Sequence, residues 1–199
     1  MPFDAGVYNL KFHQVCSWRQ EQKMKYSTTQ LTINAMLAAV CAVLGYLALD
    51  LFTLKFTFES FPVLLAGLMF GPVNGALVGF IGTFVYQVLR YGLEMSTPLW
   101  IIPYVVMGFV VGVYAKRATF NNTKREIQSI ALGGELLIFA LNTVSLFFYS
   151  RIIYGAFSLP FITGSFLPRL AIACAKGFVY GLITRPILVK LSKVTHNGH

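Results

Sequence analysis

The sequence predicts an all-α membrane protein: six transmembrane helices, both termini on the cytoplasmic side, and an extended first outer loop. Three observations carry this. The 199 residues are 56% hydrophobic and only 12% charged, about half the charge of a soluble domain, which is too little to cover a water-facing surface. Apolar runs near the ~20 residues needed to cross a bilayer recur along the chain, separated by short polar breaks. The basic residues also fall on alternate loops. The N-terminal tail holds Lys11, Arg19, Lys23 and Lys25; residues 115–126 hold Lys116, Arg117, Lys124 and Arg125; the C-terminal region holds Arg185, Lys190 and Lys193. The opposite loops hold Lys55, Arg90 and Arg151. Basic loops stay in the cytoplasm, which sets the orientation and accounts for the formal net charge of +9 without nucleic acid.

The elements follow in order. Residues 1–26 read as a polar cytoplasmic tail, residues 27–193 as the six-span domain and residues 194–199 as a second tail. The tail lacks the apolar core and cleavage site of a signal peptide, and Met24 is a candidate start with the preceding residues an extension. The first span covers Leu31 to Phe52. Residues 53–60 alternate Leu54, Phe56 and Phe58 with Lys55, Thr57 and Glu59, a period of two that predicts an extended or hairpin-like outer loop. The second apolar segment, Phe61 to Pro72, is short for a full crossing and ends at the Gly71-Pro72 turn signal. The third covers Val73 to Leu89, with Gly75, Gly79 and Gly82 near one face, where they permit close helix packing. The fourth covers Leu99 to Tyr114, the fifth Ile127 to Ser150 and the sixth Ile162 to Leu188.

Ionisable groups inside spans mark function or a partner. Glu135 lies in the fifth span, Arg169 and Lys176 in the sixth. These spans run antiparallel, so residue numbers with equal sums share a depth. Glu135 pairs with Lys176 in this way, toward the cytoplasm, and Asn142 with Arg169 nearer the outside. Glu135–Lys176 reads as a structural ion pair, the alternative being a proton relay. Arg169 lacks a carboxylate at its depth, and its guanidinium suits an acceptor-rich ligand. Outer aromatics include Trp100, Tyr104 and Tyr149. Most belong to an interfacial belt; a few, with Gln87, Arg90, Glu59 and Asn142, can line a pocket of flat rings and directed polar groups. On the first span, Ala35/Ala39 and Ala38/Ala42 form two overlapping pairs of small residues four apart, for internal packing or for a partner helix.

The chain carries no phosphate-binding G-x4-G-K-[ST] loop and no H-E-x-x-H or G-x-S-x-G motif. Its cysteines are widely spaced and its histidines lie in the tails, so no metal or cofactor site is expected. It reads as a non-enzyme.

Residues 59–82 resemble the substrate-binding S components of energy-coupling factor (ECF) vitamin transporters, small six-span membrane proteins. The resemblance rests on Pro62, on Phe70-Gly71-Pro72 and on Gly75-Ala76-x-x-Gly79, and extends over about residues 25–193. It implies a vitamin bound in an outward-facing site and a plasma-membrane assembly with a transmembrane coupling subunit and two cytosolic ATPases. Carried onto this chain, Ala35, Ala38, Ala39 and Ala42 become the coupling face, Trp100, Tyr104 and Arg169 ligand contacts, and residues 53–60 the lid. The stretch Gly82 to Gln87 lacks the acidic residue of folate-type members. That counts against folate, whereas Arg169 and Arg90 favour a ligand with a carboxylate, such as pantothenate or folate; the expected ligand is a pantothenate-, folate- or cobalamin-like vitamin, with riboflavin and pyrimidine precursors also open. The competing readings are a self-sufficient proton-coupled carrier and a non-transport membrane assembly protein.

Overall fold

The computed structural model describes residues 28–51, 54–117, 124–154 and 166–196. The N-terminal tail and the proposed start at Met24 lie outside the described residues, as do residues 155–165, with the expected start of the sixth span at Ile162. Among the described residues there are six helices: α1 (Thr28–Tyr46), α2 (Ser60–Phe70), α3 (Pro72–Tyr91), α4 (Thr97–Arg117), α5 (Lys124–Tyr154) and α6 (Phe166–His196). All but α2 are long and apolar enough to cross a membrane. A two-stranded antiparallel hairpin, β1 (Leu49–Leu51) and β2 (Leu54–Phe56), joins α1 to α2.

The first helix ends earlier than hydropathy suggests. The run to Phe52 is apolar but for Asp50 and two polar residues near its start, yet the helix stops at Tyr46 and the chain turns into β1. Two features fix that end. Arg90, on the last turn of α3, donates from Nη1 to the Tyr46 carbonyl at 3.0 Å, satisfying a group that a helix end leaves open. Gly45 packs so closely on Tyr86 and Glu59 that any Cβ there would collide with both. At the other end of the chain, α6 continues by backbone to His196, past the boundary drawn at residue 193.

Helix α2 has 11 residues and spans about 16 Å, roughly half the hydrocarbon core. Its residues from Pro62 to Leu68 are all buried, so the shortest helix is the centre of the bundle. It reverses into α3 through Gly71, whose φ of 88° lies in the region that favours glycine, and Pro72 then opens α3 without wasting a donor.

Around this centre α3 and α4 meet backbone to backbone. A Cβ at Gly75 would run into the Gly108 carbonyl, and one at Gly112 into Pro72. Gly82 instead faces α1, against Cys41 and the Ala38 carbonyl. Helix α1 therefore buries Ala38, Cys41, Ala42 and Gly45 against α3 and leaves Ala35, Met36, Ala39 and Val40 exposed. Asn34 Nδ2 donates to Asn74 Oδ1 at 2.9 Å, and Asn74 Nδ2 to the Phe70 carbonyl at 2.9 Å, tying α1, α3 and α2 together at the cytoplasmic end. Helix α6 packs chiefly on α5, and that pair joins the rest through α4.

Gly108→Val should lower stability in detergent by roughly 1–3 kcal/mol, the usual penalty of overpacking. Gly133→Ala, at a position with nothing within 4 Å of its Cβ, should leave the melting temperature unchanged. Thermal unfolding of the two variants beside the native protein checks this.

Candidate functional site: the interior between α4, α5 and α6

The junction from the hairpin into α2 places Thr57, Glu59 and Ser60 inside the bundle, all buried. Glu59 Oε1 accepts from the Tyr104 hydroxyl of α4 and from Thr57 Oγ1 at 3.2 Å. The Cys41 thiol donates to the Glu59 carbonyl at 3.2 Å. Ser60 Oγ lies 3.2 Å from the Tyr180 hydroxyl of α6. Glu59 and Ser60 thus tie α1, α4 and α6 to the top of α2.

Immediately beyond, Lys176 Nζ stands 2.9 Å from Glu135 Oε2 and 5.8 Å from the centre of the Tyr180 ring. Glu135 is 1% exposed and Lys176 8%. Glu135 is also near enough to Tyr104 and Tyr180 to interact with both electrostatically. Glu135 lies about 16 Å along α5 from its first residue, nearer the cytoplasmic end than Asn142, and through Tyr180 the pair reaches Ser60 at the start of α2, so the pair and α2 together form a floor beneath Asn142 and Arg169.

Above this floor, the facing surfaces of α5 and α6 bring together an aromatic and a cationic group. The Arg169 guanidinium lies over the Phe139 ring at 5.9 Å, and Phe166 meets Phe139 edge-on at 5.1 Å. Asn142 Oδ1 is buried, and among the described residues no donor reaches it. No hydrogen bond joins Asn142 to Arg169 among those residues: the guanidinium takes the ring face instead. Higher still, Trp100 and Tyr149 have ring centres 5.9 Å apart, and Ser145 Oγ donates to the Leu99 carbonyl at 2.8 Å, closing α4 against α5.

The structure separates the sequence-derived candidates into groups. Glu59 and Tyr104 face each other. Asn142 and Arg169 flank Phe139. Trp100 and Tyr149 pair at the outer end. Gln87 is buried on α3. Arg90 stands apart, with its guanidinium on Tyr46 and beside Tyr91; it caps α1 rather than lining the interior. On α1 the two alanine pairs diverge. Ala35 and Ala39 are exposed, whereas Ala38 and Ala42 are buried, so only the first pair is open to a partner helix. Tyr180, Ser60, Phe139 and Phe166 were not singled out from sequence. Helical spacing was a usable signal for two of them: Tyr180 is one turn from Lys176, and Phe139 lies between Glu135 and Asn142 on one face.

A groove of about 530 Å³ runs between α3 and α4 on their outward side, lined by Phe80, Phe84, Ile101, Ile102 and Val105. Its walls are almost wholly apolar and face where lipid chains lie, which makes it a poor place for a polar ligand.

The bundle is the fold of the S components. It is similar to the crystal structure of the S component for biotin from an ECF-type ABC transporter, with a TM-score of 0.61 at 18% identity, covering 80% of this chain and 90% of that one. The family model described as ECF-type riboflavin transporter, S component, matches residues 25–193; the chain belongs to this family of integral membrane vitamin-uptake subunits. No curated protein sequence matches the chain.

Removing one partner of the buried pair should be far more damaging than removing both. Lys176→Met alone should destabilise by about 3–5 kcal/mol, while Lys176→Met with Glu135→Leu should come close to neutral. Thermal unfolding of the single and double variants measures the difference.

Proposed function

We propose that this chain is the riboflavin-binding subunit of an ECF-type importer, working with a transmembrane coupling subunit and two cytosolic ATPases. The observation that carries this reading is the family match over residues 25–193, which shifts the weight from pantothenate, folate and cobalamin to a flavin. Residues 27–193 serve as the binding domain, and the segments on either side as cytoplasmic tails.

The chemistry of the interior supports it. Riboflavin combines a flat three-ring system, an imide edge with one N–H donor, and a polyol tail. The outer half of the α4–α5–α6 interior offers aromatic faces at Phe139, Phe166, Trp100 and Tyr149, a guanidinium at Arg169 and an amide at Asn142. Flat rings with a few directed polar groups are what such a ligand requires. The hairpin β1–β2 serves as the lid over this region, hinged at Thr57–Ser60, where Glu59 is clamped to Tyr104. Glu59 and Tyr104 then act by holding the hinge, and Gln87 by supporting α3 behind it. Exposed Ala35 and Ala39 serve as the coupling face: methyl-sized side chains let a partner helix approach closely without leaving polar groups in lipid.

Two results test the reading. Riboflavin added to the purified protein should lose its fluorescence stoichiometrically, with no competition from pantothenate, folate or cobalamin, and Arg169→Ala or Asn142→Ala should weaken binding by roughly tenfold or more, the worth of a directed hydrogen bond or charged contact. Unquenched riboflavin would refute the flavin assignment. Replacing Ala35 and Ala39 with Leu should leave this binding intact and stop uptake in cells that supply the partners; undiminished uptake would place the coupling face elsewhere.

A further inference from the structure

The carboxylate of Glu135 is only half accounted for by its ion pair. Oε2 takes the Lys176 ammonium at 2.9 Å. Oε1 is buried, and among the described residues no donor reaches it. A carboxylate presents about four acceptor positions, and leaving a charged oxygen without a donor in a lipid-embedded interior is expensive. Lys176 fixes the Oε2 end of the carboxylate, and its ammonium lies 5.8 Å from the centre of the Tyr180 ring.

A second buried acceptor lies on the same helix. Asn142 Oδ1 also has no donor among the described residues. It is seven residues from Glu135, hence near the same face of α5 and about 10 Å further toward the outside. Between the two stands the Phe139 ring, with Arg169 over it. One stripe of α5 therefore reads acceptor, aromatic ring, acceptor.

We propose that Glu135 is a ligand-facing acceptor as well as half of an ion pair, and that Glu135 and Asn142 together set the polarity and length of the ligand. The ligand class is a flat ring system with hydrogen-bond donors at both ends, spaced by about three helical turns less one. This rests on the flavin reading above and adds an orientation to it. The ring imide N–H points down to Glu135 Oε1, where the charged oxygen makes the stronger bond. The ring lies against Phe139. The polyol, which loses most on leaving water, stays at the outer end by Asn142. Lys176 is a positioning residue: it fixes the carboxylate and does not itself need to touch the ligand.

The test compares riboflavin with N3-methylriboflavin, which lacks the imide donor, and uses the native chain and the variant Glu135→Leu with Lys176→Met. The double replacement avoids a lone buried charge, and a monodisperse gel-filtration profile with an unchanged melting temperature confirms that the bundle is intact. For the native protein, N3-methylation should weaken binding by roughly 10- to 100-fold. In the double variant riboflavin should bind more weakly, and the two ligands should differ by less than about threefold, because the acceptor that tells them apart is gone. Undiminished discrimination in the double variant, or none in the native protein, overturns the role of Glu135 while leaving the flavin reading standing. Failure of the native protein to bind either flavin overturns the flavin reading and this orientation together. Asn142→Ala should leave the N3-methyl discrimination of the native chain in place; its loss there would reverse the proposed orientation.

Discussion

A bilayer offers no water to the interior of a bundle, so each polar group buried there must be satisfied by the protein or by what the protein binds. The Lys176–Glu135 pair is where this constraint bears hardest. Two charges sit in a region away from solvent, and they are tolerable because they meet at 2.9 Å. The same constraint explains the neighbours. Glu59 enters the interior only where Tyr104 and Thr57 can donate to it. Ser60 and Tyr180 answer each other, and Asn74 serves both α1 and α2. These polar contacts form small circuits that join helices from different parts of the chain, and they leave Glu135 Oε1 and Asn142 Oδ1 over.

The apolar framework makes those circuits possible. Glycines at the α3–α4 contact bring two backbones together around the buried α2, so α1 to α4 form one closely packed body. The α5–α6 pair is fastened to it mainly along α4 and by the contact of Ser60 with Tyr180. On the proposed reading this division is useful. The α1–α4 body supplies the α2 part of the floor and the coupling face on α1, and the polar faces of α5 and α6 supply the rest of the floor and the ligand contacts. Exposed apolar side chains on α1, among them Met36 and Val40, need no burial of their own in lipid.

Much of this was legible in the sequence, and the reasons differ from part to part. The helices declare themselves because length and hydropathy are nearly sufficient in a membrane. Period-two alternation in Leu54-Lys55-Phe56 marks β2, but its partner β1, Leu49-Asp50-Leu51, is hidden at the end of the stretch that hydropathy assigns to the first helix. The end of α1 depends on Arg90, 44 residues away, and no local pattern contains that. Antiparallel counting relates Glu135 to Lys176, and the two meet at 2.9 Å. The choice between the two alanine pairs on α1 was open in the sequence because both have the same spacing; only the position of Gly82 against Ala38 decides which pair is used internally. Phe139 and Tyr180 were overlooked because an aromatic residue in an apolar span carries no signal of its own. Their significance comes from the charged groups that share their faces.

The central claim is that a flavin lies along α5 between Asn142 and Glu135. A structure of the full chain with riboflavin bound tests it most directly. The account predicts the ring system against Phe139, its imide edge within hydrogen-bond distance of Glu135 Oε1 and its polyol beside Asn142. A flavin held above Trp100 and Tyr149, or seated between α3 and α4 at Phe80 and Phe84, would contradict it.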